Sequence, residues 1–97
     1  MIKEVKVIVK ILDKIQNLLL KANEIEWEKN IRKIKEMFES TPPEEVKILA
    51  RKTLSLFAGM GSFNDIVLYV NNKVDSKINQ SFNELRRKLY NRLKELL

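Results

Sequence analysis

The chain of 97 residues carries 19 Lys and Arg against 13 Asp and Glu, a formal net charge of +6, with 44% hydrophobic residues and neither His nor Cys. The apolar share supports a packed core outside the disordered class, and the length suits one modest domain over residues 1–97. The missing residue types exclude disulfides and thiolate chemistry, remove the main ligands of zinc and transition-metal sites, and take away the commonest general base at neutral pH. The composition therefore points to a non-enzymatic protein without a metal or cofactor.

The charge is uneven. Residues 1–39 hold nine basic against seven acidic side chains, residues 40–70 hold three of each, and residues 71–97 hold seven against three. A basic C-terminal segment attracts nucleic acid, anionic lipid or an acidic protein, or serves as the wet side of a helix. The apolar N-terminus MIKEVKVIVKILDKIQNLLLKA is interrupted by Lys3, Lys6, Lys10, Asp13 and Lys14. No run there reaches the ~18 apolar residues of a membrane span. Because the charges are spread and not gathered ahead of an apolar block, a signal peptide is not expected either. The expectation is a cytoplasmic protein that does not enter membranes.

Periodicity predicts four helices in chain order. In the first, Val5, Ile8, Leu12, Ile15 and Leu19 recur at three- and four-residue spacing, with Val9, Ile11 and Leu18 widening the stripe. The β-branched cluster from Val5 to Val9 also suits a strand, but its alternation is not sustained. Asn23 is the expected N-cap of the second helix, whose buried line is Trp27, Ile31, Ile34 and Phe38, with Glu, Lys and Arg on the solvated side. The segment ESTPPEE then stops one helix and opens the next. Thr41 with Glu44 fits a capping box, and Pro42 fits the first helical position.

The third helix presents Val46, Leu49, Ala50, Thr53, Leu54 and Phe57, and is expected to end at Ala58 with Gly59 as its C-cap. Ile66 to Val70 read as a short strand, and the Asn71-Asn72 pair as a tight turn into Lys73 and Val74. A fourth helix starts near Asn79, or at a capping box of Ser81 and Glu84. Its apolar line is Phe82, Leu85, Leu89, Leu93 and Leu96, with Tyr90 and Leu97 at the edge. The expected fold is mainly α, a compact four-helix domain with a short strand or hairpin between helices three and four.

Two features attract functional interpretation. The segment GMGSFND holds both glycines of the chain. No Lys-Ser/Thr pair follows the glycines and no G-x-G-x-x-G follows a strand, so neither phosphate-loop pattern is present. The loop also follows a helix C-terminus, which repels anions. Gly59, Gly61, Ser62, Asn64 and Asp65 are therefore expected to build a structural corner, with Met60 and Phe63 packed inward. The second feature is the basic helix NELRRKLYNRLKELL. Its Arg86, Arg87, Tyr90, Arg92 and Lys94 form the candidate partner-binding set, either as a protein-binding face or, with Tyr90 stacking on a base, as a nucleic-acid face. Glu84 and Glu95 interrupt the patch. The remaining carboxylates do not converge, and an enzyme would need Asp65 or Tyr69 in a pocket beside the glycines.

The stretch LSLFAGMGSFNDIVLY, together with ELRRKLY, resembles a family of small uncharacterised bacterial proteins. Its members share a helix ending in Leu-Phe, then Gly-x-Gly-Ser-x-Asn-Asp and a short apolar strand. The likeness runs from Leu54 to Tyr90, with Trp27 matching an upstream Trp. It implies a shared fold at Gly59, Gly61, Ser62, Asn64 and Asp65 and carries no activity with it.

The first expectation is thus a small protein-binding domain, with a toxin as a specific partner and an immunity or antitoxin-like inhibitor as the specific form. A nucleic-acid-binding module using the basic C-terminal helix is the alternative. A homodimer through the first or fourth helix would supplement so small a core.

Overall fold

The apolar stripe of the first helix does what its spacing demands. In the computed structural model, which describes residues 2–57 and 63–97, α1 (Lys3–Lys21) buries Val5, Ile8, Ile11, Leu12, Ile15 and Leu19 on one side. Successive residues turn by about 100° along a helix, so these positions share one face. That face packs between α2 (Ile25–Ser40) and α4 (Ser76–Glu95), while α3 (Val46–Leu54) closes the α4 side. The core joins the α1 stripe to Ile31 and Phe38 of α2, Val46, Leu49 and Ala50 of α3, and Phe82, Leu89 and Leu93 of α4. Removing each such side chain from water is worth about 1.5–3 kcal/mol, and these contacts hold the four helices together. The molecule measures 43 × 23 × 20 Å.

Local chemistry sets the helix ends, at four points differently from expectation. Asn23 is not the N-cap of α2. It takes a left-handed φ of 58°, its N–H donates to the Leu20 carbonyl, and the Glu24 N–H donates to Leu19. This paired closure is a Schellman motif, in which a small amide side chain tolerates the backbone that a branched residue resists. Asn23 thus ends α1, and α2 starts from Glu24 with no side-chain cap.

The capping box at Thr41 and Glu44 does not form either. The Thr41 hydroxyl turns back and donates to the Met37 carbonyl, so it closes α2. The following Pro42 disfavours helical backbone at Thr41, which is extended at ψ 131°. Pro42 is extended as well, and a short 3₁₀ turn over Pro43–Glu45 leads into α3. On α3 the Thr53 hydroxyl lies in the buried face and is satisfied by the Leu49 carbonyl at 2.8 Å. The helix tightens into a 3₁₀ turn at Ser55–Phe57, earlier than the expected end. The expected cap at Ala58 and Gly59 lies outside the described residues, as do Met60, Gly61 and Ser62.

A 3₁₀ turn over Phe63–Asp65 carries the chain back. The strand is shorter than expected, because only Tyr69–Val70 (β1) pairs, antiparallel, with Lys73–Val74 (β2). Asn71 and Asn72 both adopt left-handed φ, 54° and 65°, the backbone of a two-residue hairpin turn whose twist matches its strands. α4 then begins at Ser76, ahead of the proposed Ser81–Glu84 box. Its N-cap is Asp75, whose carboxylate accepts from the Ile78 N–H at 3.0 Å.

Glu28 departs from the solvated side of α2 and is 5% exposed. Its Oε1 accepts from Gln16 Nε2 of α1 at 3.1 Å, and Lys35 bridges back to Gln16 at 2.9 Å and Asp13 at 3.2 Å. A polar seam therefore flanks the apolar contact of α1 with α2. Among the described residues no helix is long and apolar enough to cross a membrane.

Candidate functional site

Phe63 sits at the centre of an aromatic cluster. It is fully buried and its ring lies 5.2 Å from Trp27, 5.5 Å from Phe57 and 5.6 Å from Phe82. The edge-to-face geometry with Phe57 and Phe82 matches the preference of aromatic quadrupoles. Phe57 and Phe63 flank the glycine segment, and Asn64 Nδ2 donates to the Phe57 carbonyl at 3.3 Å. The two ends of the segment are thus held against each other, and the expectation that Phe63 packs inward holds.

Two side chains of α4 fix the returning chain. Arg86 turns into the protein and is 7% exposed. It donates through NH1 to the carbonyls of Phe63 and Ile66 and through NH2 to Asn83 Oδ1. Its guanidinium lies 4.1 Å from the Phe82 ring centroid, a close cation–π contact. Burial pulls its pKa below the ordinary arginine value, and the charge of Asp65 opposes that shift. Two helical turns earlier, Asn79 binds Leu68 as a strand partner would. Its Oδ1 accepts from the Leu68 N–H and its Nδ2 donates to the Leu68 carbonyl, both at 2.8 Å.

These contacts leave an open concavity of about 340 Å³ between α4 and the returning chain, lined by Phe57, Asn64, Asn83, Arg86, Arg87 and Tyr90. Two guanidinium groups and two carboxamides share it with two aromatic rings. Tyr90 is part-exposed, with Phe57 5.4 Å from its ring centroid and the Lys94 ammonium 5.3 Å over the ring.

Of the five candidate partner-binding residues, Arg86, Arg87 and Tyr90 meet at this concavity, and Lys94 joins through Tyr90. Arg92 does not line it and pairs instead with Glu95 at 3.5 Å. Arg86 corrects the expectation of a solvated position, because its hydrogens go to backbone carbonyls and Asn83. Asn64 and Asp65 follow the glycines on the 3₁₀ turn, Asn64 lining the concavity and Asp65 facing Arg86 electrostatically. Gly59, Gly61 and Ser62 lie outside the described residues. Tyr69, the other residue an enzyme would need, is 52% exposed on the hairpin and does not line the concavity.

The roles of Asn79 and Asn83 were not legible beforehand. An Asn within a helical pattern is ordinarily a poor helix former facing water, and only its spacing from Arg86 and Phe82 hinted at a shared face. Among the described residues no group of three or more acidic side chains converges as a metal site.

No curated protein and no solved structure matches the chain at a significant level. A family model does match over residues 20–76. That segment contains Phe57 and Asn64, while Asn83, Arg86, Arg87 and Tyr90 follow it in the chain. Spanning α2, α3 and the hairpin, the match shows that the chain belongs to the family described as Domain of unknown function (DUF6966).

Proposed function

We propose that the protein acts by binding another protein and that the α4 concavity is its binding surface. One observation carries this: Arg87, Asn64 and Asn83 converge beside the rings of Phe57 and Tyr90 in a single concavity. Protein-binding surfaces favour this mixture, in which aromatic rings and Arg supply most of the energy and amides supply direction. The finer form of the proposal is an immunity or antitoxin-like inhibitor of a bacterial toxin. The small size, the absence of His and Cys, and the likeness to small bacterial proteins support that form. The cytoplasm is the compartment such an inhibitor would occupy.

The test is co-expression with toxic proteins encoded beside its own gene. Restored growth with the natural chain, lost with Arg87→Glu while the circular dichroism spectrum is unchanged, carries the inhibitor form. Unrelieved toxicity removes it.

A nucleic-acid role has a weaker basis. Arg87, Tyr90 and Lys94 form an exposed basic-aromatic group, but the Tyr90 ring already contacts Phe57 and lies beneath the Lys94 ammonium. A stacking base would have to displace one of them. Gel-shift titration against salt discriminates, since phosphate binding weakens steeply as salt rises.

Homodimerisation is a separate proposal. The buried stripes of α1 and α4 are both covered within one chain, so a contact through either helix would use its outer face, and sedimentation at two concentrations tests it.

A further inference from the structure

Among the described residues that line the concavity, Arg87 is the exposed cation. Arg86 lines it, but it is buried, its NH1 and NH2 groups donate to two backbone carbonyls and Asn83, and the charge of Asp65 lies near it. Arg87 is exposed and, among the described residues, forms no ion pair with an acid. Its helical neighbours four residues before and three after, Asn83 and Tyr90, line the same concavity. Asn64 approaches from the returning chain. A charged fork, flanking amides and an apolar wall are thus arranged around one small volume.

We propose that this concavity is a carboxylate pocket, which takes one Asp or Glu side chain and an adjacent apolar side chain from an acidic segment of the partner protein, with Arg87 as its ionic ligand. The inference rests on the protein-binding role proposed above and names the partner's chemistry. A guanidinium receives a carboxylate through two parallel N–H···O bonds, a geometry that an ammonium cannot reproduce. The net charge of +6 favours the approach of an acidic segment. Phe57 and Tyr90 supply the surface against which the neighbouring apolar side chain packs.

Size and charge order favour this occupant over a polyanion. The volume of about 340 Å³ lies near the lower end of the roughly 300–1,000 Å³ typical of ligand pockets, enough for one or two side chains. Asp65 and Glu84 carry negative charge near the basic group, and Arg92 is paired with Glu95 away from the concavity. A row of phosphates would meet those acids, whereas a single monoanion needs only the one uncommitted guanidinium.

The experiment is an NMR titration of the full ¹⁵N-labelled chain with the peptide acetyl-Ala-Glu-Phe-Ala-amide, and with the same peptide carrying Gln in place of Glu. The Glu peptide is expected to saturate with a Kd of about 1 mM, with shift changes centred on Asn64, Asn83, Arg87 and Tyr90. The Gln peptide and the Arg87→Ala variant should each bind roughly tenfold more weakly, the loss of one charge-assisted contact. Arg87→Lys should recover less than half of that loss, and Arg92→Ala should bind as the natural chain does.

Equal binding of the Glu and Gln peptides, or shifts centred elsewhere, overturns the pocket. Tighter binding of a phosphoserine peptide or of single-stranded DNA, falling steeply with salt, reassigns it to phosphate. If a toxin is neutralised equally well by natural and Arg87→Ala chains, the pocket falls and the protein-binding role stands. If the Glu peptide binds as expected and no toxin is neutralised, the pocket stands and the inhibitor form falls.

Discussion

Arg86 illustrates how one side chain can be misjudged from its type. Its position three residues from Asn83 and four from Phe82 places all three on one flank of α4, and the chain returning after the glycines presents carbonyls to that flank. Replacing it with Met would keep the volume and leave the Phe63 and Ile66 carbonyls and Asn83 without their donor. Arg86→Met is expected to destabilise the fold by about 2–4 kcal/mol in urea unfolding, with Arg86→Lys recovering less than half because an ammonium cannot reach all three acceptors. Because burial lowers the Arg86 pKa, the unfolded chain holds that proton more tightly. Stability gains from this group only as pH rises through its depressed folded value toward the unfolded one, far into the alkaline range, and at neutral pH its desolvation is a cost. Charge and spacing predicted that α4 is amphipathic and basic. They did not distinguish Arg86 from Arg87, since both are adjacent cations and only the returning backbone selects between them.

At the scale of elements, the helix-closing motifs carry the most informative differences. Asn23 occupies the left-handed position of a Schellman closure, so Asn23→Gly should leave stability within about 0.5 kcal/mol, while Asn23→Ala should cost about 1 kcal/mol by thermal unfolding. The hairpin is the weak element, with two residues in each strand and no stability of its own in water. Its attachment is Asn79, which takes both backbone groups of Leu68. Asn79→Ala should lower global stability by about 1–2 kcal/mol. In hydrogen exchange it should speed the amides of residues 68–74 far more than those of α1, and uniform acceleration across both regions would refute a local anchoring role. The existence of the hairpin was legible because two adjacent Asn residues suit two left-handed positions. Its length was not, because pairing stops where the partner strand runs out and a side chain takes over.

At the scale of the molecule, the absence of His leaves no side chain whose ordinary pKa lies near neutrality. Unfolding free energy is therefore expected to stay flat within about 0.5 kcal/mol between roughly pH 6 and pH 9, measured by urea titration. A slope larger than that would require a strongly displaced group within the fold. The same +6 charge should make association with an acidic partner faster at low salt and slower at high salt.

Four helices, their buried faces and a turn before the last of them were available from periodicity and residue chemistry. Apolar residues at three- and four-residue spacing share one buried face only if their segment is helical, and left-handed Asn pairs suit few other turns. Where those helices end, which arginine is buried and where a concavity opens depended on the packed chain. Thr41 closes α2 where a cap of α3 was expected, and Asn23 ends α1 where a cap of α2 was expected, because the direction of the chain beyond each selects its role. Arg86, Arg87, Tyr90 and Asn64 form one surface only because the residues around Phe63 are brought onto α4, a contact across more than twenty positions that no local spacing encodes.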